Sequence, residues 1–120
     1  MRHFIDIIRE SVDDDFFLYH GTSEPSEKIR AHGLKPGRHG CIFLTDNPEL
    51  ALDYAQTDQE RTGFDTTTIV SVRVSDLDVT KLLGDLDHTT TDDWRESLRE
   101  TDQCMYAGPI PSNVLTIEEY

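Results

Sequence analysis

The stretch Phe16-Phe17-Leu18-Tyr19-His20-Gly21-Thr22 sets four aromatic or aliphatic residues directly before a histidine, a glycine and a hydroxyl residue. A short apolar run with polar punctuation at its end predicts a buried strand that delivers His20 and Thr22 to a pocket. Gly21, having no Cβ, lets a backbone come close to a ligand. A strand running into a turn with one incidental histidine is the plainer alternative, and the rest of the chain has to decide between them.

Composition narrows the field. A chain of 120 residues fits one domain, and 36% hydrophobic with 29% charged residues fits a soluble globular protein with a modest core. The formal charge of −13 argues against nucleic acid as a partner, because affinity for phosphate backbones comes from Lys and Arg. Such acidity serves solubility or offers a surface to a basic partner. Cys41 and Cys104 lie far apart, each within an apolar run, and read as buried thiols of a reducing compartment rather than as a disulfide or metal site. No tripartite signal opens the chain and no apolar run approaches the roughly 18 residues of a membrane span. The expectation is a cytoplasmic protein without membrane contact or bound metal.

Before the opening stretch, Phe4, Ile5, Ile7, Ile8 and Val12 recur at helical spacing opposite Arg2, Asp6, Arg9 and Glu10, which predicts an amphipathic N-terminal helix. Asp13, Asp14 and Asp15 end it as a solvated turn, since a hard-cation loop needs alternating oxygen ligands and a set glycine. After the stretch, residues 23–34 start with a capping serine, place Pro25 early and close on Gly33, the punctuation of a short helix. Lys28, Arg30, His32, Lys35, Arg38 and His39 follow one another here, with four of the eleven Lys and Arg residues inside eleven positions. Two readings stay open for this basic segment: it grips a phosphate-bearing ligand, or its cations simply favour a helix C-terminus.

Residues 40–45 form a second apolar strand, and Asp46-Asn47-Pro48-Glu49 cap a following helix. Leu50, Ala51, Tyr54 and Ala55 share one face of it, which turns the Tyr54 ring inward as a core tyrosine. Residues 56–68 are polar, contain Gly63 and lack periodicity, so they read as a surface loop with a mobile tip. Residues 68–74 alternate and are β-branched, a clear strand, whereas 76–83 show no period. Thr90 to Asp93 cap a short helix that sets Trp94 one turn from Leu98. Residues 103–107 and 113–117 are the last strand-like runs, separated by Gly108-Pro109. Short strands with helices gathered early predict an α+β fold.

The order of these motifs resembles the ADP-ribosyltransferase fold, close to its diphtheria-toxin and poly(ADP-ribose) polymerase branch and to the RNA 2′-phosphotransferases. The resemblance spans residues 16–117 and implies a single domain over 1–120, built of short mixed sheets with peripheral helices and using NAD as substrate. It implies that His20 hydrogen-bonds a ribose of NAD, that the Gly21 backbone clamps the nicotinamide amide with Thr22 beside it, and that Tyr54 stacks on the nicotinamide ring, which displaces the core reading of that residue. Phe43 or Thr45 falls at the second motif, where the family places a tyrosine or histidine; Thr45 is similar to the hydroxyl of the arginine-specific branch. Gln103 falls where the family usually has glutamate, with Glu100 and Asp102 as the neighbouring carboxylates should the register differ.

That glutamate holds a ribose hydroxyl and stabilises positive charge as the glycosidic bond breaks. Glutamine keeps the hydrogen bonds and loses the charge and any general-base role. The resemblance therefore implies an NAD-dependent ADP-ribosyltransferase with His20 and Gln103 as catalytic residues and a macromolecular, protein acceptor. Two alternatives stand beside it: a non-catalytic domain of the same fold that binds a partner or nucleotide, and an RNA 2′-phosphotransferase, which the charge and the absent second histidine argue against. Specificity is expected in the segments 56–68 and 85–91. The opening Met1-Arg2-His3-Phe4-Ile5-Asp6-Ile7-Ile8 resembles the starts of small tailed-phage proteins, which implies a host-directed role in a host cytoplasm.

Overall fold

The strand beginning at Phe17 sits inside the sheet and has a neighbour on each side. In this computed structural model, residues 16–37 and 40–120 are described; the expected N-terminal helix, the Asp13–Asp15 turn, Arg38 and His39 lie outside them. The elements are β1 (Phe17–Thr22), α1 (Ser26–His32), β2 (Ile42–Thr45), α2 (Pro48–Thr62), β3 (Thr68–Arg73), β4 (Leu82–Gly84), α3 (Trp94–Thr101), β5 (Gln103–Tyr106) and β6 (Thr116–Glu119). The strands form one six-stranded sheet in the order β4-β5-β2-β1-β3-β6. The class is α+β. Every neighbouring pair runs antiparallel, so one antiparallel sheet replaces the expected mixed sheets; no βαβ crossover of the kind that makes parallel neighbours joins adjacent strands.

Strand alternation distributes the residues between two faces. Leu18, Val70, Val72, Ile42, Leu44, Cys104 and Tyr106 build the core with Ile29 of α1, Leu98 of α3 and Ile110. Trp94 packs at its edge, its ring stacked on Phe16 with centroids 6.2 Å apart. On the other face α2 lies on β1 through Ala51 and Ala55, both fully buried. No helix among the described residues is long and apolar enough to cross a membrane.

Three expectations are corrected. The segment 56–68 is not a loop throughout, because α2 continues to Thr62 and only then ends on Gly63, whose left-handed backbone (φ 81°) caps it through an N–H to the Gln59 carbonyl. Its second half lacks apolar period because polar contacts hold it: Gln59 Nε2 donates to the Thr66 carbonyl at 2.9 Å and to Thr67 Oγ1 at 2.8 Å. Tyr54 is not a core residue; it is 38% exposed. The last strand begins at Thr116 rather than 113, since Ser112–Val114 forms a 3-10 turn. The segment without period, 76–83, starts at the end of one 3-10 turn (Val74–Asp76), holds another (Val79–Lys81) and enters the short β4.

Both cysteines are buried and unbridged. Burial, with the nearby Asp46 and Asp85 charges, pushes the Cys104 thiol up to about 12.

Candidate functional site

The two edges of β1 differ. Six register pairs, Phe17 opposite Arg73 through Thr22 opposite Thr68, join it to β3, but a single pair, Tyr19 opposite Thr45, joins it to β2. Beyond Tyr19 the strands part, and backbone facing the gap loses its ladder. His20 answers part of that loss: its Nδ1 lies 2.8 Å from the Phe43 carbonyl. A carbonyl can only accept, so Nδ1 carries the hydrogen and Nε2 of the neutral ring presents a lone pair. Burial holds the His20 pKa below the usual histidine value, outweighing the opposing pull of the Phe43 carbonyl and of the Asp58 and Glu24 charges. The ring is thus a neutral acceptor near pH 7.

His20 opens onto a pocket of about 370 Å³ whose wall includes Glu24, Lys28, His32 and Lys35. Among its described residues, the basic segment singled out in the sequence therefore converges on the strand-end histidine, with one exception. Arg30 turns away to Ser26 Oγ at 3.1 Å. The Lys28 ammonium is held 4.9 Å above the centroid of the Phe64 ring, which keeps its charge while fixing its place. A neutral acceptor beside two ammonium groups suits a ligand that carries both a hydroxyl and a phosphate.

Gly21 is explained first by packing. A Cβ there would lie 1.7 Å from the Ala51 carbonyl oxygen and 3.0 Å from the Ala55 nitrogen, so the close approach it permits is that of α2. The same helix fixes the strand end through Asp58, which was not recognised in the sequence: Oδ2 accepts from the Ser23 N–H at 3.0 Å and hydroxyl at 2.9 Å, and Oδ1 from Arg61 Nε at 2.8 Å. Burial alone would raise the Asp58 carboxyl, yet these donors bring its pKa below the ordinary value. Thr22 is buried, and its hydroxyl accepts from the Glu24 N–H at 3.1 Å and faces Asp58 at 3.4 Å, so the structure uses it internally.

On the α2 side, Gln103, Thr45, Tyr19 and Ser71 stand in one row across four strands. The Gln103 side chain hydrogen-bonds the Tyr54 hydroxyl, whose pKa is raised by burial and by the Asp85 charge. Thr45 is buried with its hydroxyl accepting the Asn47 N–H at 3.0 Å, and Phe43 contributes its carbonyl to His20. The alternative carboxylates stand elsewhere. Glu100 accepts from Thr89 Oγ1 at 2.6 Å, and Asp102 occupies the left-handed cap of α3 (φ 61°). Gln103 is therefore the residue brought to Tyr54. By the pleat, His20 and Gly21 point to opposite faces, so a ligand touching His20, Gly21 and Tyr54 together has to lie along the split between β1 and β2.

No protein-family model and no curated protein sequence matches the chain. Solved structures do. EcPltA superposes with a TM-score of 0.58, covering 86% of this chain and 74% of its own, at 15% identity. The fold is shared with EcPltA. Identity this low carries the likeness no further than the fold.

Proposed function

We propose that the chain is an NAD-dependent ADP-ribosyltransferase acting on a protein acceptor. The observation that carries this reading is the split between β1 and β2, with a neutral histidine and two lysines on one side and a half-exposed tyrosine held by Gln103 on the other. The resemblance of the motif order from His20 to Gln103 to that family supports it, and the fold shared with EcPltA is compatible with it.

Each group has work suited to its chemistry. Nicotinamide is flat and carries a carboxamide; the Tyr54 ring offers a stacking surface, and the β1 backbone at the split offers peptide groups complementary to that amide. His20 Nε2 accepts from a ribose hydroxyl, while Lys28 and Lys35 neutralise the diphosphate. Gln103 orients a hydroxyl of the nicotinamide ribose. As the bond from ribose C1′ to nicotinamide breaks, its electron pair neutralises the pyridinium ring and positive charge develops on the sugar. Glutamine cannot counter that charge, which favours a good acceptor nucleophile over water.

Gln103 also supports a second reading, a domain that binds NAD or a related nucleotide without turnover. Calorimetry with NAD and NAD-dependent labelling of a lysate separate the two. Binding with labelling is expected; binding without labelling would leave the binder, and no binding would remove both.

A further inference from the structure

The carboxylate missing at position 103 stands one strand away. β4 ends with Gly84 opposite Cys104, so the next residue, Asp85, comes alongside Gln103. The Ser97 hydroxyl joins them, accepting from the Asp85 N–H at 2.9 Å and donating to the Gln103 carbonyl at 2.6 Å. The Asp85 side chain is fully buried, and its Oδ2 lies 2.8 Å from Nδ1 of His88, a ring that is 57% exposed. Its other oxygen accepts from the Asp87 N–H at 3.2 Å. After burial, the Asp85 charge is the next cause that raises the Tyr54 pKa.

A turn alone does not call for this arrangement. The Asp85 carbonyl already accepts the His88 and Thr89 N–H groups at 3.0 and 2.9 Å, and asparagine would serve Asp87 as well as aspartate does. A buried carboxylate requires a compensating partner, and the partner here is an imidazole whose other nitrogen is left to solvent or substrate. We propose that His88 is the general base of the transfer reaction, positioned by Asp85, and that this pair supplies the function the residue at 103 lacks. The inference rests on the ADP-ribosyltransferase reading.

In the step proposed, an acceptor hydroxyl or water attacks ribose C1′ and the C1′–nitrogen bond breaks with its electron pair passing to nicotinamide. The proton of the attacking group passes to His88 Nε2 and from there to solvent. With water, NAD and water give ADP-ribose, nicotinamide and one proton. Asp85 holds the hydrogen on Nδ1 and stabilises the imidazolium that forms.

The test measures NAD affinity and NAD hydrolysis on the full chain. His88→Ala is expected to lower turnover about a hundredfold with the NAD Kd unchanged, and added imidazole to restore part of the rate. Asp85→Asn is expected to lower kcat with KM unchanged, and to have no further effect in the His88→Ala background. Turnover of His88→Ala within twofold of the parent overturns the pair while leaving the transferase reading intact. Loss that imidazole does not rescue, or that comes with a weakened Kd, gives the segment a structural role and also overturns it. If the parent chain binds NAD and neither hydrolyses it nor labels a lysate with it, the pair falls and the binder remains; if it binds no NAD, the transferase reading falls and takes the pair with it.

Discussion

Along its β3 edge β1 is held by six register pairs, and along its β2 edge by one. The first edge needs only residues that suit a pleated, buried surface, and Val70 and Val72 provide them. On the second, and past the strand's end, backbone groups are answered one at a time by side chains: His20 for the Phe43 carbonyl of β2, and, beyond Thr22, Asp58 for the Ser23 N–H and Thr22 for the Glu24 N–H. Buried backbone groups need partners wherever the ladder stops. Where side chains supply those partners, chemistry can be placed as well, and the candidate site lies there.

The comparison is broken most severely at Gly21. Gly21→Val sets side-chain atoms against the α2 backbone, where even a Cβ would stand 1.7 Å from an oxygen, and is expected to cost at least about 3 kcal/mol. Urea unfolding measures this, and a variant with an unchanged midpoint would mean that α2 does not rest on β1. Asp58→Ala removes the acceptor of the Ser23 N–H and hydroxyl, an expected loss of about 2 kcal/mol. Because the folded pKa of Asp58 lies below the ordinary 3.8, its contribution is present above that value and is lost as pH falls through the lower folded one. The gap in melting temperature between parent and variant should therefore close in acid, and a gap that persists there would assign the effect to something other than the carboxylate.

Smaller effects sharpen the picture on the ligand side. Tyr54→Ala removes a ring that is 38% exposed, so melting temperature should hardly move while NAD affinity falls about fivefold, the equivalent of ~1 kcal/mol of stacking. A large drop in melting temperature with unchanged affinity would return Tyr54 to the core. The smallest effect is expected at His20. Its folded pKa is depressed from 6.5, so the unfolded chain takes up a proton first as pH falls, and stability declines from about pH 6.5 downward until the folded pKa is passed. His20→Gln should flatten that part of a melting-temperature profile, and an unaltered slope would contradict the half-buried neutral ring.

Legibility followed the same division. β1, β2, β3 and β5 could be read because apolar runs with polar ends are local signals, and α1 because Pro25 and Gly33 punctuate it. The second half of α2 was missed although Tyr54, Asp58 and Thr62 recur every four residues, since the period is carried by polar side chains. Tyr54 was turned inward by a face count that left out how closely Gly21 lets the helix approach. At the site, His20, Tyr54 and Gln103 were named from motif order, and the basic segment was marked as a whole. The fold alone separates Lys28, His32 and Lys35, which line the pocket, from Arg30, which does not. Asp58 gave no signal because Ser23 lies 35 positions away, and Asp85 gave none because its place beside Gln103 depends on strand register.

Cys104 lends itself to a further use. Thiolates rather than thiols react with alkylating agents, and a group with no exposed surface and a pKa of about 12 is silent at neutral pH. In a Cys41→Ser background, any modification of Cys104 would record a moment when β5 has come away from β2 and β4. A ligand bridging the split between β1 and β2 would slow that clock by the factor 1 + [L]/Kd whenever opening releases it. The chain thus carries an internal chronometer for its own breathing, one that detects occupancy without requiring turnover.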